Sequence, residues 1–339
     1  ESPSRHDRLP KGSKRTILAW HRINALDHPE PAVSTLIIRN RTFAWGSQTY
    51  VMGIINATPD SFSGDGLVGG AAQGLDTLRY PNRGGEGWVY AAIEQGRRFV
   101  AEGAHILDVG GESTRPGSQP VDAAEEMRRV IPVIEGLAVA VDAPISIDTS
   151  KAAVAAAALT AGASIVNDVW GLRLDPPIAQ AAAQAGATVI LMHNRSQREH
   201  VDIDPSLGGR YVGTAYGDLL GDIAAELQIS IDLAQRAGIP PDHIILDPGI
   251  GFGKTVAQNL ELLDRLGELH RLGYPLLAGP SRKSFIGYTL DLPPDQRVEG
   301  TAATVAIAIA RGADIVRVHD VLAMARVAKM ADAIVRREA

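Results

Sequence analysis

From residue 51 onward, short aliphatic and β-branched runs alternate with Ala-rich amphipathic stretches. Such runs, without a sustained polar period, read as parallel strands buried on both faces. They are predicted at Val51–Ile55, Ile106–Val109, Ile145–Ile147, Ser164–Asn167, Thr188–Met192, Ile244–Leu246, Pro275–Leu277 and Asp314–Val318. The segments between and after them carry apolar residues at helical spacing and are predicted as helices: Gly87–Glu102, Ala123–Ala140, Ala152–Ala161, Ile178–Ala185, Gly217–Ala237, Val256–Leu272, Thr301–Arg311 and Val321–Arg336. Four of them end in a repeated phrase, Glu102-Gly103-Ala104, Ala161-Gly162-Ala163, Ala185-Gly186-Ala187 and Arg311-Gly312-Ala313. Each puts glycine where a helix C-terminus takes a left-handed residue before the next strand. Asp122 with Glu125, and Thr255 with Gln258, read as capping boxes, and Asp320 as the cap of the last helix. Pro132 conflicts with its helix unless the chain kinks or frees a carbonyl to solvent.

Eight strand–helix units in ~285 residues fit one (β/α)8 TIM barrel of the α/β class better than two domains, with a doubly wound open sheet as the alternative. The barrel is assigned to residues 50–339 and an N-terminal extension to 1–49. The first fifteen residues of the extension read as disordered. Ser34–Ile38 and Thr42–Trp45, around Asn40-Arg41, read as a short β-hairpin at the barrel bottom.

Composition narrows the chemistry. A hydrophobic fraction of 45% with 21% charged residues describes an ordinary globular chain. A net charge of −6 and an aromatic content of 5% argue against a nucleic-acid or anionic-membrane surface. The absence of cysteine excludes disulfides, thiolate metal sites and cysteine nucleophiles. No apolar run approaches the ~18 residues that span a bilayer, and the polar, basic N-terminal stretch has no apolar core behind it, so a cytoplasmic enzyme is expected.

In a barrel the reacting groups gather where strands end and βα loops begin. The strand ends supply Asn56; Asp108 and Glu112-Ser113-Thr114-Arg115; Asp148; Asn167 with Asp168; His193-Asn194-Arg195; Asp247; Ser281-Arg282-Lys283; and Arg317 with His319. The opposite ends are largely Gly-Ala, Pro and apolar, so a polar, mixed-charge pocket on one face is predicted. Each residue also has a structural reading: Asp148 and Asp247 as helix caps, Asn56 and Asn167 as partners of loop backbone, His193 and His319 as packed histidines, and Asp108 as a framework residue beside Gly110-Gly111. Convergence at one end of one barrel is what favours a site. Asp247 to Thr255, DPGIGFGKT, is not a phosphate-binding P-loop, because Pro248 stands where the first glycine is needed, and Lys254 occupies the third glycine of a dinucleotide fingerprint. It reads as a tight glycine-rich loop that lets a ligand approach Asp247 and Phe252.

NATPDSFSGDG from Asn56, DVGGESTRPGS from Asp108, SIDTSKA from Ser146, NDVWG from Asn167, DPGIGFGKT from Asp247, GPSRKSFIG from Gly279 and RVHDV from Arg317 resemble dihydropteroate synthase, in that family's order and over roughly residues 50 to 336. The resemblance implies condensation of 6-hydroxymethyl-7,8-dihydropterin diphosphate with p-aminobenzoate, releasing diphosphate and 7,8-dihydropteroate for folate synthesis, with sulfonamides as p-aminobenzoate mimics. It implies that Asp148, Asn167, Asp247 and Lys283 bind the pterin edge and that Arg317 stacks on its face while meeting the phosphates. Asn56, Thr114, Arg115 and His319 would bind diphosphate, with Asn56 also holding Mg²⁺ and Asp60 joining it. Phe62, Pro116 and Phe252 would wall the p-aminobenzoate slot with Thr114, Arg115 and Lys283. Ser281 would face the benzoate carboxylate beside the first turn of the following helix. Lys283, Arg317, His319 and Asp60 are the implied catalytic set. A homodimer on the last two helices is implied too, and fits the nearly all-round apolar TAATVAIAIAR. Methyltetrahydrofolate:corrinoid methyltransferases share the pterin-binding barrel but need neither a diphosphate site nor the Thr114-Arg115-Pro116 and Ser281-Arg282-Lys283 segments. A non-catalytic pterin-binding paralogue is the other alternative, kept open by the long stretch from Gly66 to Gly87.

Overall fold

The computed structural model describes residues 35–57, 87–113, 118–197, 200–211 and 215–336. The expected disorder of the first fifteen residues, the Gly66–Gly87 stretch, and Asp60, Phe62, Thr114, Arg115 and Pro116 lie outside the described residues. The chain opens with a hairpin, β1 (Thr35–Ile38) and β2 (Arg41–Ala44), paired from Thr35–Ala44 to Ile38–Arg41 as its sequence predicts. There follow β3 (Tyr50–Asn56), α1 (Gly87–Ala101), β4 (Ile106–Gly110), α2 (Ala123–Ala140), β5 (Ile145–Asp148), α3 (Ala152–Thr160), β6 (Ile165–Asp168), α4 (Pro177–Gln184) and β7 (Thr188–Met192). The second half continues with β8 (Val201–Asp204), β9 (Gly208–Tyr211), α5 (Leu219–Arg236), β10 (Ile244–Asp247), α6 (Val256–Asp264), β11 (Leu277–Ala278), α7 (Ser284–Leu290), α8 (Val298–Ala310), β12 (Ile315–Val318) and α9 (Val321–Val335).

Strands β3, β4, β5, β6, β7 and β10 pair in parallel in that order, and β11 pairs with β12, which returns to β3. A parallel bridge from Leu246 to Leu276 closes the ring between β10 and β11. The sheet therefore has no free edge, and the open doubly wound alternative is ruled out.

The two-residue period of a strand decides what fills the ring. Met52, Ile106, Ile165, Ile190, Ile245, Leu277 and Ile315 form one inner layer, sealed from below by Leu36, Ile38, Phe43, Trp45 and Tyr50. Their neighbours Val51, Leu107, Val166, Leu246 and Val316 face outward into a second cluster with the helices. Burying each such side chain stabilises the fold by ~1.5–3 kcal/mol. The hairpin is pinned to the barrel bottom by Arg39, which donates to the carbonyls of Ala138, Val141 and Ala143. The glycines predicted to end helices, Gly103, Gly162, Gly186 and Gly312, all adopt positive φ (106°, 115°, 62° and 93°).

Local expectations diverge in three places. The Thr255–Gln258 capping box forms in full, but Asp320 makes no capping bond and instead pairs with Arg282. The helix read as Val256–Leu272 stops at Asp264 and continues as a 3-10 turn over Leu266–Leu272, which contains the poor helix former Gly267. No strand is predicted from sequence for β8 or β9, two four-residue polar runs with too little periodicity, while α7 is the helix expected after Ser281. Helix α2 spans Ala123–Ala140 as predicted, with Pro132 inside it.

Candidate functional site

One step beyond the apolar layer, the same inward alternation changes character. Asp108 follows Ile106 by two residues, Asn167 follows Ile165, Asp247 follows Ile245 and Arg317 follows Ile315. Four strands thus repeat isoleucine, an outward aliphatic, then a polar group at the carboxyl end. Asp148 stands two beyond Ser146, and Asn56 four beyond Met52, on the same faces. Packing below and polar chemistry above are built by one period.

These groups meet. Arg317 donates from Nε to Asp108 Oδ2 and from Nη2 to Asp148 Oδ2, both at 2.6 Å. Asn167 Nδ2 lies 3.3 and 3.4 Å from the two oxygens of Asp108. Burial opposes the Arg317 charge, but Asp108 and Asp148 outweigh it and hold its pKa above the ordinary value. Burial pushes Asp148 up to about 7, against the pull of Arg317. An arginine gripped along one edge keeps both faces of its plane for stacking. Asp108, expected as a framework residue, is fully buried and is the hub that holds Arg317 and Asn167. Its Ile-x-Asp register, shared with Asp247, was the signal that could have found it.

Asp247 is buried 5% exposed at the end of β10 and accepts from Gly249 N at 2.7 Å. Burial raises its pKa, opposed by Lys283, Gly249 N, Arg317 and Lys254. Lys283 reaches in from the turn after β11, donating to the Ile250 carbonyl, with its Nζ 4.5 Å above the centre of the Phe252 ring. Burial lowers it to about 8, resisted by Asp247. Ser281 Oγ accepts from His319 N at 3.2 Å and lies 3.0 Å from His319 Nδ1. With the hydroxyl donating to Nδ1, the His319 proton sits on Nε2.

Other strand-end residues turn into the framework. Asp168 accepts from the amides of Trp170 and Leu172. Glu112 is tied to Lys151, and Lys151 also to buried Glu126. Arg195 pairs with Glu226 and Asp222 and stacks on Tyr216, while Asn194 caps Ser196. His193 is packed between Lys254, 3.0 Å from its Nδ1, and Glu226, 3.2 Å from its Nε2. Burial drives His193 down to about 4. Neither Asp148 nor Asp247 caps a helix, since α3 starts after Lys151 and α6 after Thr255.

The glycine-rich loop is tight for a steric reason. Gly249 and Gly253 have φ of 70° and 62°, and a Cβ on them would come within 1.8 Å of the His193 carbonyl oxygen and 2.4 Å of the Arg195 carbonyl carbon. Lys254 does not face a phosphate: its buried Nζ donates to Gly249 and Phe252 carbonyls from inside the loop.

The pocket therefore offers three carboxylates, an amide, a planar cation, a lysine beside an aromatic wall and an oriented imidazole. That set suits a flat, hydrogen-bonding heterocycle carrying an anionic group. Residues 82–319 match the family described as pterin binding enzyme. The chain is similar to the dihydropteroate synthase of Synechocystis, with 51% identity over 295 residues, covering 87% of this chain and 93% of that one. It superposes with a TM-score of 0.74 on dihydropteroate synthase from Clostridium difficile, solved in the presence of pteroic acid, at 45% identity and covering 86% of this chain and 99% of that one. The Xanthomonas albilineans dihydropteroate synthase with 4-aminobenzoic acid gives a TM-score of 0.76 at 38% identity, covering 91% and 100%.

Proposed function

The chain belongs to the dihydropteroate synthases, pterin-binding transferases of folate synthesis, and we propose how its own residues divide the work. The reaction joins 6-hydroxymethyl-7,8-dihydropterin diphosphate to p-aminobenzoate, giving 7,8-dihydropteroate and diphosphate. The observation that carries the assignment of roles is the bonded group Asp108–Arg317–Asp148 with Asn167 at the mouth of the barrel, with Asp247 and Lys283 held beside it.

In this reading the pterin edge lies against Asp148, Asn167 and Asp247. Asp247 faces the 2-amino and N3 hydrogens, each charge-assisted bond contributing ~1.5–3 kcal/mol. Lys283 donates to the ring, and Arg317 lays its plane on the pterin face while meeting the phosphates. The carbon–oxygen bond to diphosphate ionises first, because the electron-rich ring carries the resulting cation. His319 Nε2 and Arg317 take up charge on the leaving group. The amine of p-aminobenzoate then attacks the cationic carbon as a neutral nucleophile, so the site positions it rather than deprotonating it first. The proton shed once the carbon–nitrogen bond has formed leaves to diphosphate or solvent. Ser281 and Lys283 face the benzoate carboxylate and Phe252 its ring, with Asp60, Phe62, Thr114, Arg115 and Pro116 assigned by resemblance.

Asn56 brings one amide oxygen to the carboxyl end of β3, a donor that fits Mg²⁺, which prefers oxygen and takes most of its shell from phosphate and water. The ion would neutralise diphosphate charge as the bond breaks. A homodimer through α8 and α9 is supported by exposed Ile307, Leu322 and Met330 on those packed helices. No helix among the described residues is long and apolar enough to cross a membrane.

The test is incorporation of labelled p-aminobenzoate into pteroate, dependent on dihydropterin diphosphate and Mg²⁺. Lys283→Ala is expected to lose activity by roughly 10-fold or more, the loss of one charged hydrogen bond. Full turnover in that variant refutes the assignment. Pterin binding without any product from the parent chain favours a binding paralogue.

A further inference from the structure

Arg282 lies between two residues assigned to the substrates, Ser281 and Lys283, and its backbone is in the left-handed region at φ 56°. A non-glycine residue there is strained by ~1–2 kcal/mol, and such strain persists only where the surroundings over-determine it. Here they do so at three points. Its N–H donates to the hydroxyl of fully buried Thr301 at 3.0 Å. Its guanidinium donates from Nε to Asp320 at 2.9 Å. Its carbonyl accepts from Arg297 Nη1 at 3.0 Å.

Arg297 is the unusual member. It is 2% exposed, and all the hydrogen bonds its side chain makes among the described residues end on backbone carbonyls: Leu292, Arg282 and Leu207. A buried guanidinium met only by neutral carbonyls is costly, and burial does lower its pKa. Room for it is made in α7, where a Cβ on Gly287 would lie 2.1 Å from Arg297 Nη2. The three carbonyls belong to three segments: the site turn, the exit of α7, and the β8–β9 hairpin, reached at Leu207 over 2.7 Å. That hairpin leans on the site as well, with Tyr211 stacked 6.1 Å from Phe252 and Tyr288 Oη donating to Gly208.

We propose that Arg297 is a positioning residue for the reaction: its fork holds the Ser281–Lys283 turn so that both side chains enter the barrel mouth, and ties that turn to the β8–β9 hairpin. The planar five-donor group spans carbonyls on three segments, which a lysine ammonium on a single axis does not. The inference rests on the roles of Ser281 and Lys283 given above.

The experiment compares Arg297→Lys, Arg297→Met and Thr301→Val with Lys283→Ala as reference, measuring kcat and KM for both substrates per folded enzyme, together with hydrogen exchange. For Arg297→Lys, kcat/KM for p-aminobenzoate is expected to fall by about 10-fold or more, kcat falling with it. Exchange should rise together in segments 201–211 and 279–292. Thr301→Val, which removes the anchor of the Arg282 amide, should move kcat/KM the same way, and it keeps the test open if Arg297→Met does not fold. A purely structural residue would lower thermal stability and leave the turnover of folded molecules unchanged. That result, or loss of protection in one segment alone, overturns the proposal. If Lys283→Ala is itself unimpaired, the site assignment fails instead, and the positioning role with it.

Discussion

Replacing Arg317 by lysine keeps a positive charge at the centre of the site and removes the fork. In the parent, Nε and Nη2 reach Asp108 and Asp148 at 2.6 Å each. A lysine ammonium is a single point on a flexible stem and cannot hold both carboxylates while presenting a flat face. At least one charge-assisted bond is lost, ~1.5–3 kcal/mol, which is roughly a 10- to 150-fold fall in kcat/KM at ~1.4 kcal/mol per decade. A second effect adds to it. Arg317 is the main force opposing the burial that lifts Asp148 to about 7, so weakening it moves Asp148 further up and protonates it at neutral pH. The assay is diphosphate release with p-aminobenzoate as acceptor, run across pH, with thermal unfolding as the fold control. Arg317→Ala differs, because two buried carboxylates lose their counter-charge and the fold itself is expected to lose ~3–5 kcal/mol. A lysine variant within about 3-fold of the parent, with an unmoved acid limb, would show that the fork is dispensable.

Three further outcomes follow from the same groups. For the parent, kcat/KM is expected to rise with pH as Asp148 ionises near 7 and to fall as Lys283 loses its proton near 8; Asp148→Asn should abolish the acid limb, and its persistence there would reassign that limb. Gly249 and Gly46 share positive φ, 70° and 80°, but a Cβ at 249 collides with the His193 carbonyl while 46 is open; Gly46→Ala should cost ~1 kcal/mol and Gly249→Ala several-fold more in urea unfolding, so equal losses would contradict the packing argument. Burial keeps native His193 near 4, below an unfolded histidine at ~6.5, so the unfolded chain takes up a proton first as pH falls. Stability contributed above ~6.5 is then lost towards pH 4, by about 3 kcal/mol at most; His193→Gln should flatten that stretch of the stability curve, and an unchanged slope would point to another group.

Much of this molecule is legible along the chain because its signals are local. The Gly-Ala phrases end helices at positive φ since the steric limits on φ act within a few residues. The Thr255–Gln258 box closes between neighbours, and the basal hairpin pairs as its turn suggests. Strand-end polarity marks one face as the site for the same reason, the inward alternation being a property of each strand alone. Asp320 shows the limit: its local preference for a cap gives way to Arg282, brought beside it by the barrel.

What the sequence by itself determined was a barrel with its polar groups at one end. Only the tertiary structure decided which of those groups face each other. Asp108 and Arg317 are 209 residues apart and bond because β12 returns beside β3 to close the ring. His193, Asp168 and Glu112 hold equivalent strand-end positions yet turn into loops and helices, where Lys254, backbone amides and Lys151 meet them. The physical reason is that burial of a charge is tolerable only opposite a partner. Partners in a closed barrel are chosen by stagger and register between strands, which no single stretch of chain contains.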